Sequence, residues 1–249
     1  MTRTTSFTLL QLSDCHLSAD PTATYRGENA DHNLKRLLPA CRAFAPDGVV
    51  LSGDLAEDAS AEAYRRLAGH LDGLADRMAW LPGNHDDRRV MHSVYDALGW
   101  SAGPVLDWGG WQLALIDSTE PDRPDGEVDA ERLAPLTGLA ADKPALAFVH
   151  HQPLAVNAPW IDKYRLCNPE QFWQAVDPAI VRGVGFGHVH QAFVGEHKGV
   201  RCLSAPSTVA NSQAETEKFT ADPTGPKARW YRLRNDGRWQ TGLISVGMN

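Results

Sequence analysis

The sequence predicts an α/β fold in which two β-sheets pack face to face with helices outside. Three observations predict it. From residue 7 to residue 98, short apolar runs alternate with longer segments whose apolar residues recur at helical spacing, the pattern of parallel strands joined by crossovers. From residue 111 onward, strand-like runs dominate. The last two of these flank Asn235-Asp236-Gly237, a turn sequence that joins antiparallel strands into a hairpin.

Taken in order, residues 7–12 (Phe-Thr-Leu-Leu-Gln-Leu) read as a buried strand. A helix over 29–44 carries leucines and alanines at helical spacing and ends before Pro46. Residues 48–51 form a second short strand, and a helix over 60–75 starts at Ser60, a good N-cap. A strand over 78–81 and a helix over 88–98 complete the first half. Strands over 111–117, 145–149, 183–186, 192–196, 200–204, 229–234 and 239–246 make up the second. Residues 120–126 and 221–226, rich in Pro, Asp and Gly, read as surface loops. There is no internal repeat or linker, so residues 1–249 are expected to form one domain.

Composition narrows the function. The net charge is −7 with no basic run, which disfavours a nucleic-acid partner, because duplex affinity rests on phosphate neutralisation. Small phosphorylated molecules remain open. Cys15, Cys41, Cys167 and Cys202 form no Cys-x-x-Cys pair, so neither a structural zinc site nor a disulfide framework is expected. The stretch from Met1 to Ser6 is short and polar, and the following apolar run is too brief for a signal-peptide core. No segment reaches transmembrane length. The expected location is the cytoplasm, with no membrane partner.

The chemistry-bearing residues fall at one kind of place. The strand over 7–12 is followed by Asp14-Cys15-His16, that over 48–51 by Gly53-Asp54, and that over 78–81 by Gly83-Asn84-His85-Asp86. The strand over 145–149 is followed by His150-His151, and that over 183–186 by Gly187-His188-Val189-His190. Each cluster sits at the carboxyl end of a strand, the edge at which open α/β sheets bind ligands. Carboxylate, imidazole and amide oxygen together suit Mn, Fe or Zn better than Ca. Two such metals about 3.5–4 Å apart hold a hydroxide and clamp a phosphoryl group for in-line displacement, and an Asp can bridge them. The glycines before Asp54, Asn84 and His188 permit tight turns and close approach to a ligand. Each motif alone is weak, since a lone Asp or His is usually a cap or a satisfied core residue. Their order, each just after a strand, carries the reading.

That ordered set, Asp14 to His190, resembles the calcineurin-like metallophosphoesterase superfamily. The resemblance implies a four-layer αββα sandwich. It implies that Asp14, His16 and His190 hold one metal ion, that Asn84, His150 and His188 hold the other, and that Asp54 bridges them. A closer resemblance is to bacterial class III 3′,5′-cyclic-AMP phosphodiesterases. It rests on Leu81-Pro-Gly-Asn-His-Asp86, His150-His-Gln-Pro-Leu154, Trp160-Ile-Asp162, Leu166-Cys-Asn168, Gly187-His-Val-His-Gln191 and Ala205-Pro-Ser-Thr208. Residues 219–233 follow it loosely, and residues 19–28 do not match it. It implies hydrolysis of 3′,5′-cyclic AMP to 5′-AMP by a metal-bridging hydroxide. Iron and manganese are the implied metals, with Mn²⁺ expected to support activity in vitro. It also admits a homodimer.

On this reading the phosphate meets His16, Asn84, His85 and His190, and His85 serves the departing 3′ oxygen as general acid. Glu57 is placed to orient His85. Trp160 either covers the nucleobase or packs its own loop. His151 is left out of the metal set, as a neighbour that either fixes His150 or touches phosphate. Asp86 and Asp87 are expected to open the following helix, and Cys15 to pack away from the cluster. His32, His70, His92 and His197 are expected on helices or loops away from the strand ends. Two alternatives stand: a phosphoesterase for another small phosphorylated metabolite, and a non-catalytic scaffold, which would be expected to have lost ligands.

Overall fold

The computed structural model describes residues 6–246. The polar stretch from Met1 lies outside them up to residue 5, as do residues 247–249. The strands, in chain order, are β1 (Ser6–Leu12), β2 (Thr24–Tyr25), β3 (Glu28–Asn29), β4 (Gly48–Ser52), β5 (Arg77–Leu81), β6 (Val105–Trp108), β7 (Trp111–Ile116), β8 (Ala145–Val149), β9 (Val181–Phe186), β10 (Val194–His197), β11 (Val200–Ser204), β12 (Lys227–Arg234) and β13 (Trp239–Ser245). The helices are α1 (Ala30–Ala43), α2 (Ala61–Leu71), α3 (Arg88–Tyr95), α4 (Ala134–Thr137), α5 (Pro159–Asp162) and α6 (Pro169–Ala175).

One sheet runs β13-β12-β1-β4-β5 and a second runs β10-β11-β9-β8-β7-β6. β1, β4 and β5 are parallel, as the strand–helix alternation requires. β7, β8, β9 and β11 are also parallel, with β6 and β10 antiparallel at the edges. The β12–β13 hairpin pairs antiparallel to β1. Alternation along each strand sorts the side chains into layers. Phe7, Leu9 and Val50 of the first sheet meet Leu113, Phe148 and Leu203 of the second in a core between the sheets. Leu10, Leu12 and Leu51 face outward and pack with Leu34, Leu37, Tyr64 and Met91 of α1, α2 and α3. Ala147, Val149 and Phe186 pack outward with Leu136, Ile161 and Phe172 of α4, α5 and α6. The result is the expected αββα arrangement. Each fully buried leucine contributes roughly 1.5–3 kcal/mol.

Three expectations need correction. The second helix stops at Leu71 rather than Ala75, because Asp72 is extended (ψ 131°) and Gly73 turns left-handed (φ 63°). The third gives up α geometry at Tyr95 and tightens into a 3₁₀ turn over Asp96–Leu98, closed by left-handed Gly99. His197 lies on β10 rather than on a helix or loop. The hairpin of β6 with β7, the small β2–β3 ribbon and the short helices α4, α5 and α6 are additions to the sequence reading.

Candidate metal centre

Five strand ends converge at one edge of the double sheet. Asp14 N–H donates to the Gly53 carbonyl and His16 N–H to the Asp54 carbonyl, which stitches the segment after β1 to the segment after β4. Gly187 N–H donates to the His150 carbonyl, which stitches the ends of β9 and β8. A buried polar layer ties the two sheets beneath the cluster. The Gln11 amide donates to Ser52 Oγ (2.8 Å) and to the Phe186 carbonyl (3.3 Å), while the Tyr231 hydroxyl donates to Gln11 Oε1 (2.6 Å).

Two glycines explain how the side chains come so close. A Cβ on Gly187 would overlap Ser13 Oγ and Asp14 Oδ2. A Cβ on Gly83 would overlap Asp54 and meet His150. Backbone strain concentrates here as well. Asp14, His16, Asp54, His188 and His190 all have positive φ, between 43° and 66°. Such conformations cost roughly 1–3 kcal/mol each and gather at functional sites.

The seven residues named from the sequence are brought together. Asp14, His16, Asp54, His150, His188 and His190 are buried, and Asn84 is half-buried. The tautomers follow from hydrogen bonds on the far side of each ring. His190 Nδ1 donates to the Ala210 carbonyl (2.8 Å) and His150 Nδ1 to the Ser52 carbonyl (2.8 Å). His16 Nδ1 donates to Glu57 (2.7 Å). In a neutral imidazole each Nε2 is then a lone pair aimed into the site. The Nε2 atoms of His16 and His190 lie 3.2 Å apart, and His190 Nε2 lies 3.3 Å from Asp14 Oδ1. Asp54 Oδ2 lies 3.3 Å from His150 Nε2 and 3.8 Å from His16 Nε2, so it stands between the two groups. Its Oδ1 accepts the His85 backbone N–H at 2.9 Å.

This arrangement fits a pair of cations. His150 Nε2, His188 Nε2 and Asn84 Oδ1 are buried and lack a hydrogen-bond partner among the described residues, a costly state unless a ligand satisfies them. Two groupings of ligand atoms adjoin, Asp14–His16–His190 and Asp14–Asp54–His150, each with its atoms within 4.8 Å of one another. Burial drives His188 down to about 3, with the neighbouring His150 adding to it, and burial also lowers His16. Both imidazoles are thus neutral, the form that binds metal. Burial opposes ionisation of Asp54, yet the surrounding imidazoles hold its carboxyl well below the usual range.

The remaining candidates are also placed. His85 lies edge-on to His16, 4.9 Å between ring centres. Its Nδ1 is 3.1 Å from Glu57 Oε2, the oxygen that also holds His16. His151, set aside in the sequence reading, groups with His150 and His188, and its Nδ1 is 2.8 Å from Ser118 Oγ. Cys15 is buried in the outer core, as expected. Asp87 caps α3 by accepting from Arg89 and Val90 N–H. Asp86 does not open that helix: its carboxylate accepts from the backbone of Leu55, Ala56 and Gly83 and from the Tyr64 hydroxyl. It locks the Asp54 loop to the Asn84 loop.

A cleft of about 360 Å³ opens over the cluster, with Asp54, Asn84, His85, His188 and His190 at its floor and Trp160 in its wall. A larger depression, about 660 Å³, lies on the α2–α3 side and contains none of these residues. The sequence reading missed Tyr25, whose ring stacks on His16 at 3.8 Å and 6°. It also missed Arg26 and Phe219 beside Trp160. Their only local sign is Arg26-Gly27, a weak turn signal.

Layers, strand-end donors and open buried nitrogens together define a protein of metallophosphoesterase architecture. The chain belongs to the calcineurin-like phosphoesterase family, whose pattern matches residues 7–192. A protein of Pseudomonas aeruginosa named 3′,5′-cyclic adenosine monophosphate phosphodiesterase CpdA is 31% identical over 97% of this chain and 90% of its own. The Escherichia coli K12 protein of the same name is 32% identical over 94% and 87%. A dimetal phosphatase from Danio rerio shares the fold at a TM-score of 0.62 and 15% identity, covering 96% of this chain and 98% of its own. Among the described residues no helix is long and apolar enough to cross a membrane.

Proposed function

We propose that the chain is one catalytic domain that hydrolyses 3′,5′-cyclic AMP to 5′-AMP at a binuclear metal centre. The observation that carries this reading is the pair of adjoining buried groupings, Asp14–His16–His190 and Asp14–Asp54–His150, with Asp54 Oδ2 between the His16 and His150 rings and ring nitrogens open toward a cleft of nucleotide dimensions. Relatives at about 30% identity bear the names of cyclic-AMP phosphodiesterases. Asp14, His16 and His190 would hold one metal and Asn84, His150 and His188 the other, and Asp54 would serve both.

When bound, the metals supply Lewis acidity and make a nucleophile available from water near neutral pH. Iron and manganese are the proposed ions. The chain's own residues do the rest. The backbone holds the donors in a fixed array at the strand ends, so little reorganisation accompanies reaction. His16, Asn84, His85 and His190 receive the phosphate. One water adds to phosphorus, the bond to the 3′ oxygen breaks, and His85 delivers a proton to that oxygen. Glu57 keeps the His85 ring oriented and protonated. The substrate is a small cyclic nucleotide in the cytoplasm, with no nucleic-acid or membrane partner. A homodimer is compatible with this account.

The test is product analysis with Mn²⁺-loaded protein on 3′,5′-cyclic AMP, 2′,3′-cyclic AMP and a nitrophenyl phosphodiester. Conversion of 3′,5′-cyclic AMP to 5′-AMP is expected. Turnover of the nitrophenyl diester alone would keep a metal-dependent hydrolase and remove the cyclic nucleotide. Absence of bound metal after purification from metal-rich medium would favour a scaffold.

A further inference from the structure

Above the metal cluster, three segments distant in sequence meet on a single guanidinium. Tyr25 and Arg26 come from the β2–β3 ribbon, Trp160 from α5, and Phe219 from the segment before β12. Arg26 Cζ lies 4.1 Å from the Phe219 ring centre, 5.2 Å from that of Tyr25 and 5.4 Å from that of Trp160. Trp160 meets Phe219 edge-on at 5.5 Å. The Arg26 Nε donates to the Tyr25 hydroxyl at 3.1 Å. Tyr25 in turn stacks on His16, so the guanidinium is tied to the phosphate end of the cleft through one ring.

Arg26 is exposed, but its guanidinium lies among three aromatic rings and makes little polar contact within the chain. It has no ion pair with a carboxylate among the described residues, although the cleft contains Asp54 and Glu217. Its two terminal nitrogens have no hydrogen-bond partner among the described residues, Nε being the one nitrogen engaged. Its backbone is left-handed (φ 51°), next to Gly27 at φ 86°, at the head of a two-residue hairpin turn. Asn or Gly suits that position better. The wall it faces is firmly built. Asp162 accepts the backbone N–H groups of Val156 and Ala158, and the Gln152 and Gln191 amides donate to the Ile161 and Val156 carbonyls. Those bonds fix the Trp160 segment to the chain beside His151 and His190. The Trp160 indole N–H is itself buried without an acceptor.

A flat cation within an aromatic wall, with free donors, is suited to a planar heterocycle. Bases stack on Arg planes and aromatic faces alike. With the phosphate on the floor of the cleft, the nucleobase is the part of the substrate left to occupy this wall. We propose that Arg26 is the specificity-determining residue of the cleft, binding the nucleobase against the Tyr25–Trp160–Phe219 wall. This rests on the cyclic-nucleotide reading above.

The experiment compares kcat and KM for 3′,5′-cyclic AMP with those for ribose 3′,5′-cyclic phosphate, which lacks the base. It uses Mn²⁺-loaded wild type, Arg26→Asn and Arg26→Lys. Asparagine is chosen because it keeps the left-handed turn, and lysine because it keeps the charge without the plane. In Arg26→Asn the preference for cyclic AMP over the base-free substrate, as a ratio of kcat/KM, is expected to fall about tenfold, mainly through KM. Arg26→Lys is expected to recover little of it. An unchanged ratio, through no effect or an equal loss on both substrates, would overturn the assignment. Full recovery with lysine would overturn the stacking role. If wild type hydrolyses the base-free substrate but not cyclic AMP, the nucleotide reading fails before any variant is compared, and the assignment with it.

Discussion

Glu57 Oε2 lies 3.1 Å from His85 Nδ1 and 2.7 Å from His16 Nδ1, so one carboxylate oxygen serves both a proposed metal ligand and the proposed general acid. Burial pulls the His85 imidazole down, but the bond to Glu57 and the charges of Asp54 and Glu57 outweigh it and hold it at about 9 in the metal-free protein. A histidine raised in this way contributes stability that is fully present below its unfolded value of about 6.5 and is lost as pH rises through about 9. Glu57→Gln should return the His85 titration toward 6.5, as followed by NMR on the metal-free protein. A His85 titration left near its wild-type value would show that Glu57 does not hold the proton in place.

His85→Ala should lower kcat for cyclic AMP by roughly 10²–10⁴-fold, the usual range for a general acid. Metal content should stay at the wild-type level, because no ring nitrogen of His85 is assigned to a metal. Elemental analysis beside steady-state kinetics separates the two effects. Full turnover with both metals bound would remove His85 from the chemistry.

Gly187→Ala places a methyl group where Ser13 Oγ and Asp14 Oδ2 now sit. Overpacking of this kind costs roughly 1–3 kcal/mol. Because Asp14 must move, metal stoichiometry should fall along with stability. Denaturant unfolding and metal analysis of the purified variant check both, and a variant with wild-type metal content would mean the Asp14 loop is looser than its contacts imply.

Arg229 is 2% exposed and lies on β12 between the sheets. Its Nε donates to the Ser204 carbonyl (2.6 Å), one terminal nitrogen to Thr241 Oγ1 (3.2 Å) and the other to the Phe193 carbonyl (3.4 Å). Arg229→Met fills much of the same volume and strands these acceptors. Stability should drop by about 1–3 kcal/mol while kcat holds. Unchanged stability would mean that the cost of burying the cation cancels its hydrogen bonds.

The convergence of the candidate donor clusters was legible in the sequence because each follows an apolar strand directly. Strand and donor are neighbours in the chain, and parallel topology then gathers the strand ends. The two sheets were legible from the same runs. What escaped depends on contacts between distant segments. Asp86 reads locally as a first-turn helix residue, but loops around residues 55 and 83 and the Tyr64 hydroxyl claim its carboxylate. Tyr25 and Arg26 belong to a two-residue ribbon with no periodicity, and only the folding back of that ribbon sets Tyr25 on His16. The β6 strand, half exposed in alternation at a sheet edge, gives a weak apolar signal.

Whether two metal ions drive cyclic-nucleotide hydrolysis here is decided by a titration. Metal-free protein at a concentration well above the Mn²⁺ Kd receives Mn²⁺ in steps while 5′-AMP formation from 3′,5′-cyclic AMP is recorded. The rate should be negligible without metal and level off at about two equivalents per chain. A rate saturating at one equivalent, or no 5′-AMP at any ratio, would contradict the two-metal proposal.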